Sequence, residues 1–256
     1  MKHRTVIGAV LGFAAILLAS PPLLAWATPP PLAWATPPCV VPEALALRPL
    51  SLPAARRAAT ADKHLTILTL GGTQTAGTEA GEQSATYPAR LEAALAAIPP
   101  NAQVSVVNEA LPGNTAADVA PRIGGLLVKT GARLVIWAPG GRDVAKRSDP
   151  AGFGAALQIG IDAVRNGGAD LILLDAPFMP APERMARIEP YRQKLLHAAA
   201  DNNVPLLRRH DMMRGWNEDK TLNLDARDDL ERQTVTRRLF ACIAHSLAVP
   251  IAEAVR

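Results

Sequence analysis

Aromatic residues make up only 4% of this 256-residue chain, and no run of basic residues exceeds two. A base-stacking surface and a phosphate-tracking stripe are therefore both excluded, and nucleic acid is not an expected partner. The formal charge is +4, and loss of residues 1–27, which carry Lys2 and Arg4 but no acid, would leave 25 basic side chains against 23 acidic ones. There is no paired Cys/His spacing to hold a metal, no P-loop and no dinucleotide fingerprint, so neither a metal nor a cofactor is expected. Cysteine is scarce, with Cys39 and Cys242 alone. What is abundant is apolar residue: at 49% hydrophobic, the chain has ample material for a large core.

The amino terminus has the anatomy of a signal peptide. A basic start, Met1-Lys2-His3-Arg4, is followed by an apolar run from Val6 to Ala19 and then by Pro21-Pro22 and small residues. That run is shorter than the ~20 residues a membrane span needs. Ala25-Trp26-Ala27 offers an A-x-A cleavage site, and a near-repeat of the stretch offers a second at Ala33-Trp34-Ala35. The expected product is exported, periplasmic or secreted, with no membrane attachment after cleavage. Residues 28–61 read as a Pro/Ala-rich lead-in, and residues 62–256 as one domain. Export would put both cysteines in an oxidising compartment, where they form either a disulfide or two buried thiols. Thr36-Pro37-Pro38 ahead of Cys39 is not a lipobox.

The stretch from Leu65 to Leu70 is a continuous run of leucine and β-branched residues that meets a glycine-rich polar loop, Gly71-Gly72-Thr73-Gln74-Thr75-Ala76-Gly77. Such a run suits a central strand of a parallel sheet, covered on both faces. Further strands are expected at Gln103–Val107, Leu134–Trp137, Asp170–Leu174 and Val204–Arg208. Helical patterns fall at Ala89–Ile98, Ala116–Lys129, Pro150–Arg165, Pro182–Asp201 and Asp229–Val255, with a polar loop over residues 209–229. Single helices between strands give a three-layer α/β/α sandwich around a five-stranded parallel sheet, flavodoxin-like, in one domain. Ligands bind beyond the carboxyl ends of such strands. Three loops sit there: Gly71–Gly77, the Leu111-Pro112-Gly113-Asn114-Thr115 segment, and Pro139-Gly140-Gly141-Arg142-Asp143. Asp175 and the Met179–Met185 segment follow the fourth strand and are expected to wall the pocket.

With those loops placed, residues 62–254 resemble the SGNH/GDSL hydrolases, a family of esterases, lipases and carbohydrate deacetylases, and in particular an exported bacterial subgroup. The matching segments are Thr86-Tyr87-Pro88-Ala89-Arg90-Leu91-Glu92, Val135-Ile136-Trp137, and the Arg-Arg-x-x-x-Met-Arg-x-Trp pattern in Arg208–Trp216. The resemblance implies an SGNH-hydrolase fold and a small-molecule or carbohydrate ester as ligand. It also implies residue roles. The nucleophilic serine position falls on Thr73, beside Gly72. The oxyanion-hole glycine is present as Gly113, beside Asn114, while the oxyanion-hole asparagine falls on Arg142. Aligned through Phe240–Ala244, the catalytic aspartate and histidine fall on Glu231 and Thr234.

Those substitutions bear directly on chemistry. A hydroxyl needs a neighbouring base to become a nucleophile, and Thr234 cannot be one. Losing the base costs on the order of 10⁶ in kcat in a serine hydrolase. Thr73 adds a β-methyl that stiffens χ1 and crowds the approach. Arg142 puts a permanent charge where a neutral amide belongs, able to stabilise an oxyanion, grip a carboxylate or phosphate, pair with Asp143, or sit in solvent. Three readings follow: a catalytically impaired protein of ester-hydrolase lineage; an active esterase in which Thr73 is served by a relocated base such as His210, which follows the fifth strand; and a non-catalytic binder of an anionic sugar or phosphate through Arg142.

Overall fold

The computed structural model describes residues 39–97 and 102–256. The expected signal peptide, both cleavage sites and the start of the lead-in lie outside the described residues. Five strands, β1 (His64–Gly71), β2 (Gln103–Asn108), β3 (Leu134–Ala138), β4 (Asp170–Leu174) and β5 (Leu206–Leu207), form one sheet in the order β2-β1-β3-β4-β5, every neighbouring pair parallel. The α-helices are α1 (Pro53–Arg57), α2 (Thr73–Ala76), α3 (Tyr87–Ala97), α4 (Ala116–Val119), α5 (Ile123–Thr130), α6 (Gly141–Lys146), α7 (Pro150–Asn166), α8 (Pro182–Asp201), α9 (Arg209–Glu218) and α10 (Asp229–Ala254).

The expected sandwich is present. β3 is buried along its whole length and β1 along all but His64, as strands sheathed on both faces must be. Right-handed crossovers put the β1-to-β2 helix α3 on one face and the helices of the remaining crossovers on the other. The second face carries one continuous cluster in which Leu68, Leu70, Val135, Trp137, Leu171 and Leu173 meet residues of α4, α5, α7 and α8. Trp137 is fully buried and lies so close to α7 that a Cβ on Gly160 would stand 2.3 Å from its ring. On the first face α3 packs on α10, with Tyr87 and Phe240 edge to face at 6.3 Å. That contact explains the apolar character of α10, which is long and apolar enough to cross a membrane but mostly buried in the fold.

Four expectations need correction. Residues 39–61 are no mere lead-in: Leu52, Ala54, Ala55, Ala58 and Ala59 are buried, and Asp170 of β4 accepts a hydrogen bond from Ala55 N at 2.9 Å. Small side chains let this segment sit close to the sheet. The single helix expected from Ala116 breaks into α4 and α5 around a 3₁₀ turn at Ala120–Arg122, where Pro121 lacks the N–H to continue an α-helix. β5 is shorter than Val204–Arg208. The polar loop at 209–229 contains α9, whose Arg209, His210, Asp211, Met212, Met213 and Trp216 are all buried.

The choice left open for the cysteines is resolved, since Cys39 and Cys242 form a disulfide with a sequence separation of 203. It ties the amino-terminal segment to α10. Trp216 Nε1 adds a hydrogen bond to Val40 O at 2.7 Å beside it.

Candidate functional site

The sheet order reverses direction at β1 and β3, and the chain leaves both strands into glycine-rich loops at their carboxyl ends. β1 ends at Gly71, where a side chain is impossible: a Cβ would stand 2.3 Å from Thr75 Oγ1 and 3.1 Å from Ala138 O. The chain therefore turns hard against β3 and enters α2 with Thr73 as its first residue, its side chain exposed.

Three side chains, Asn108, Tyr87 and Arg209, fix this loop from below. Asn108 Nδ2 donates to Thr75 O at 2.9 Å, and Asn108 Oδ1 accepts from Thr69 Oγ1 at 3.1 Å. Tyr87 donates its hydroxyl proton to the buried Thr75 Oγ1 at 3.4 Å, and burial pushes the phenol pKa up to about 12, so it stays a donor. Arg209, at the start of α9, donates from Nη1 to Gln74 Oε1 at 3.3 Å and from Nε to Asp175 O at 2.9 Å. A buried guanidinium thus joins the first loop to the end of β4.

Above these anchors lies a cleft of about 280 Å³. Gly72, Thr73, Glu79, Gly113, Arg142 and Arg209 are among its lining residues, with Pro177 and Met179 as apolar members. Gly113 has φ +92, a conformation open to glycine with little strain. Arg142 lies in α6 and is solvent-exposed. It does not pair with Asp143, which is buried and accepts a hydrogen bond from Ala116 N at 3.0 Å. Burial holds the Asp143 carboxyl above the usual carboxylate range.

The structure therefore gathers Gly72, Thr73, Gly113 and Arg142 around one cleft, together with Met179. It leaves out the others. Asn114 is not in the lining and caps the turn of its own loop, N to Leu111 O at 3.3 Å. Glu231 and Thr234 are exposed within the first turns of α10. Glu231 Oε1 accepts from Asn223 Nδ2 at 2.8 Å, and the Thr234 hydroxyl donates to Leu230 O at 2.9 Å. Asp175 is fully buried below the cleft lining and bound to Arg192. The residue that sequence reasoning missed is Arg209. It is the first residue of α9, and its place in the Arg208-Arg209 pair just after the last strand was the available signal.

His210 is 2% exposed and is not among the cleft's lining residues. Its ring stands edge to face on Phe178 at 5.5 Å, and Nδ1 is buried without a hydrogen-bond partner among the described residues. Burial, then Arg192, then Arg214 hold its pKa below the ordinary 6.5, against the opposing pull of Asp211 and Glu189. Between the folded value and 6.5 the unfolded chain binds the proton more, so stability is whole above about 6.5 and declines as the pH falls through that window. Each pH unit of separation is worth about 1.4 kcal/mol. Denaturant midpoints measured against pH should show this slope in wild type and a flatter one in His210→Phe; His245, whose imidazole burial also lowers, adds to the slope in both proteins, and the buried carboxyls with raised pKa, such as Asp175, oppose it in both. An unchanged slope would show that His210 is not held neutral.

Comparison with known proteins agrees with this architecture. A family model described as the non-GDSL lipase-like family matches residues 38–256. Among solved structures, the chain is similar to the psychrotrophic esterase EstA from Pseudoalteromonas sp., 16% identical, covering 70% of this chain and 96% of that one at a TM-score of 0.54. It is similar to AlinE4, an SGNH-hydrolase family esterase, at 22% identity over 64% of this chain and 84% of that one, TM-score 0.53. It is also similar to the acetyl xylan esterase AlAXEase, at 17% identity over 70% of this chain and all (100%) of that one, TM-score 0.56. Identities this low establish a shared fold. A comparison with curated protein sequences finds no match.

Proposed function

Because the chain belongs to the non-GDSL lipase-like family and has the SGNH-hydrolase fold, we propose that it is an exported protein of ester-hydrolase lineage whose cleft binds a small-molecule or carbohydrate ester and has lost efficient hydrolysis. One observation carries this reading: the Thr73 hydroxyl opens onto a cleft whose lining residues include no imidazole. Without a base to take its proton, a threonine hydroxyl is a poor nucleophile near neutrality. Arg142 in place of an amide further changes the electrostatics of the oxyanion position. Export is supported by the leader-like amino terminus and by a disulfide of the kind that persists in oxidising compartments.

The competing reading, an active esterase with His210 as base, needs the imidazole within ~3 Å of the Thr73 hydroxyl or one water away. The burial of His210 against Phe178 counts against it. Hydrolysis of p-nitrophenyl acetate by wild type, Thr73→Ala and His210→Ala separates the two. The expected result is three equal rates, indistinguishable from background hydrolysis. A wild-type rate abolished in Thr73→Ala would overturn the proposal, and its loss in His210→Ala as well would establish the esterase.

A further inference from the structure

Arg209 is unusual among the charged residues of this fold. It is 3% exposed, yet it lines the cleft, and its two hydrogen bonds go to neutral acceptors, Asp175 O and Gln74 Oε1. The Asp175 carboxylate acts on Arg209 through space but makes its ion pair with Arg192, at 2.9 Å. Among the described residues nothing accepts a hydrogen bond from Arg209 Nη2. A guanidinium stays protonated throughout the physiological range, and burying one without a paired anion is costly. If Arg209 were only a strut between the first loop and β4, the two bonds from Nε and Nη1 would suffice, and a neutral side chain could supply them without that cost.

The same cleft is lined by Arg142, exposed and without an ion-pair partner among the described residues. The cleft therefore presents two cations, one rigid and one adaptable, against a single carboxylate, Glu79. We propose that Arg142 and Arg209 are the two arms of an oxyanion receptor, and that the ligand carries a carboxylate or phosphate group held between them. Arg209 supplies a fixed fork whose orientation is set by Gln74 and the Asp175 carbonyl. Arg142 closes on the anion from the α6 side, and charge-assisted contacts of this kind are the strong ones. Glu79 opposes the ligand by like charge and sets a limit on affinity. The proposal rests on the reading of this cleft as a binding site.

Calorimetric titration of the purified protein at low ionic strength, where such contacts are least screened, tests it with two probes: inorganic phosphate for a phosphoryl group and glucuronate for a carboxylate. Saturable binding of at least one is expected, weakened by about 10-fold or more in Arg142→Gln. Glu79→Gln should tighten it a few-fold, and Arg48→Gln, a remote surface arginine paired with Glu253, should leave it unchanged. Arg209→Lys should also weaken binding; if that variant does not fold, Arg142→Gln and Glu79→Gln still decide. Phosphate binding alone assigns a phosphoryl ligand and glucuronate binding alone a carboxylate. Binding of neither up to about 10 mM, or binding indifferent to Arg142→Gln, overturns the receptor. Such a failure with hydrolysis absent leaves the non-hydrolytic reading standing, whereas Thr73-dependent hydrolysis removes that reading whatever the anion result.

Discussion

Loss of the Cys39–Cys242 disulfide should lower stability by about 2–5 kcal/mol, measured by urea denaturation of the oxidised protein against a Cys39→Ala/Cys242→Ala variant. The two cysteines are 203 positions apart, so the bond closes nearly the whole described chain into one loop. In the chain-entropy account the restriction on the unfolded state grows with the logarithm of loop length, and at this span it approaches about 5 kcal/mol. Part of that is expected to be missing, because residues 39–61 have other anchors. Trp216 holds Val40 O, Leu52 and Ala55 are buried, and Ala55 N reaches Asp170. The substitutions themselves leave small voids, since both cysteines are buried, at 3% and 1% exposure. A cross-link that acts on the unfolded chain also keeps it compact, so its removal should raise the denaturant slope m. A loss below about 1 kcal/mol with unchanged m would mean that the bond fastens only a local segment.

The scaffold was legible where burial is simple. β1, β3 and β4 announce themselves as unbroken apolar runs because their strands are covered on both faces, and the strand-end loops with Thr73, Gly113 and Arg142 follow from that placement. α9 was hidden for the opposite reason. Its buried face begins Arg209-His210-Asp211, so an ion-pair network occupies the positions where an apolar stripe would have signalled a helix. α1 was hidden because alanine and proline carry little amphipathic contrast, although alanine is the residue that lets a short helix lie close to a sheet. Glu231 and Thr234 illustrate another limit. Their assignment rests on counting back along α10 from Phe240; the helix starts at Asp229 as expected, and both positions lie on its exposed face. Spacing along a chain does not report which side of a helix meets a cleft. Arg209 was visible as a letter, but its role depends on burial beside Gln74, a contact across 135 positions of sequence.

Arg192→Ala is expected to destabilise the protein by about 3–5 kcal/mol, more than any surface charge change could. Asp175 is fully buried, and burial already holds its carboxyl above the usual range against the pull of Arg192. Arg192 reaches it from Nε at 2.9 Å and reaches Asp211 from Nη2 at 2.9 Å, so one guanidinium serves two largely buried carboxylates. Removing it leaves Asp175 with the Ala176 amide and the field of Arg209, while Asp211 keeps Arg208 at 2.7 Å. The deficit should depend on pH. A carboxyl whose folded pKa lies above its free value binds its proton more tightly in the folded state, so stability falls as pH rises from the ordinary carboxylate value through the raised one. The variant's deficit relative to wild type should therefore be larger at neutral pH than in mild acid. Arg192→Met combined with Asp175→Asn removes the orphaned charge together with its partner, and should recover most of the loss despite being the larger alteration. Strict additivity in that double variant would show that the pair is not coupled. The same substitution bears on the cleft, because the Asp175 carbonyl orients Arg209. Arg192→Ala should weaken anion binding while leaving Arg142 untouched, and the paired replacement should restore both stability and binding together.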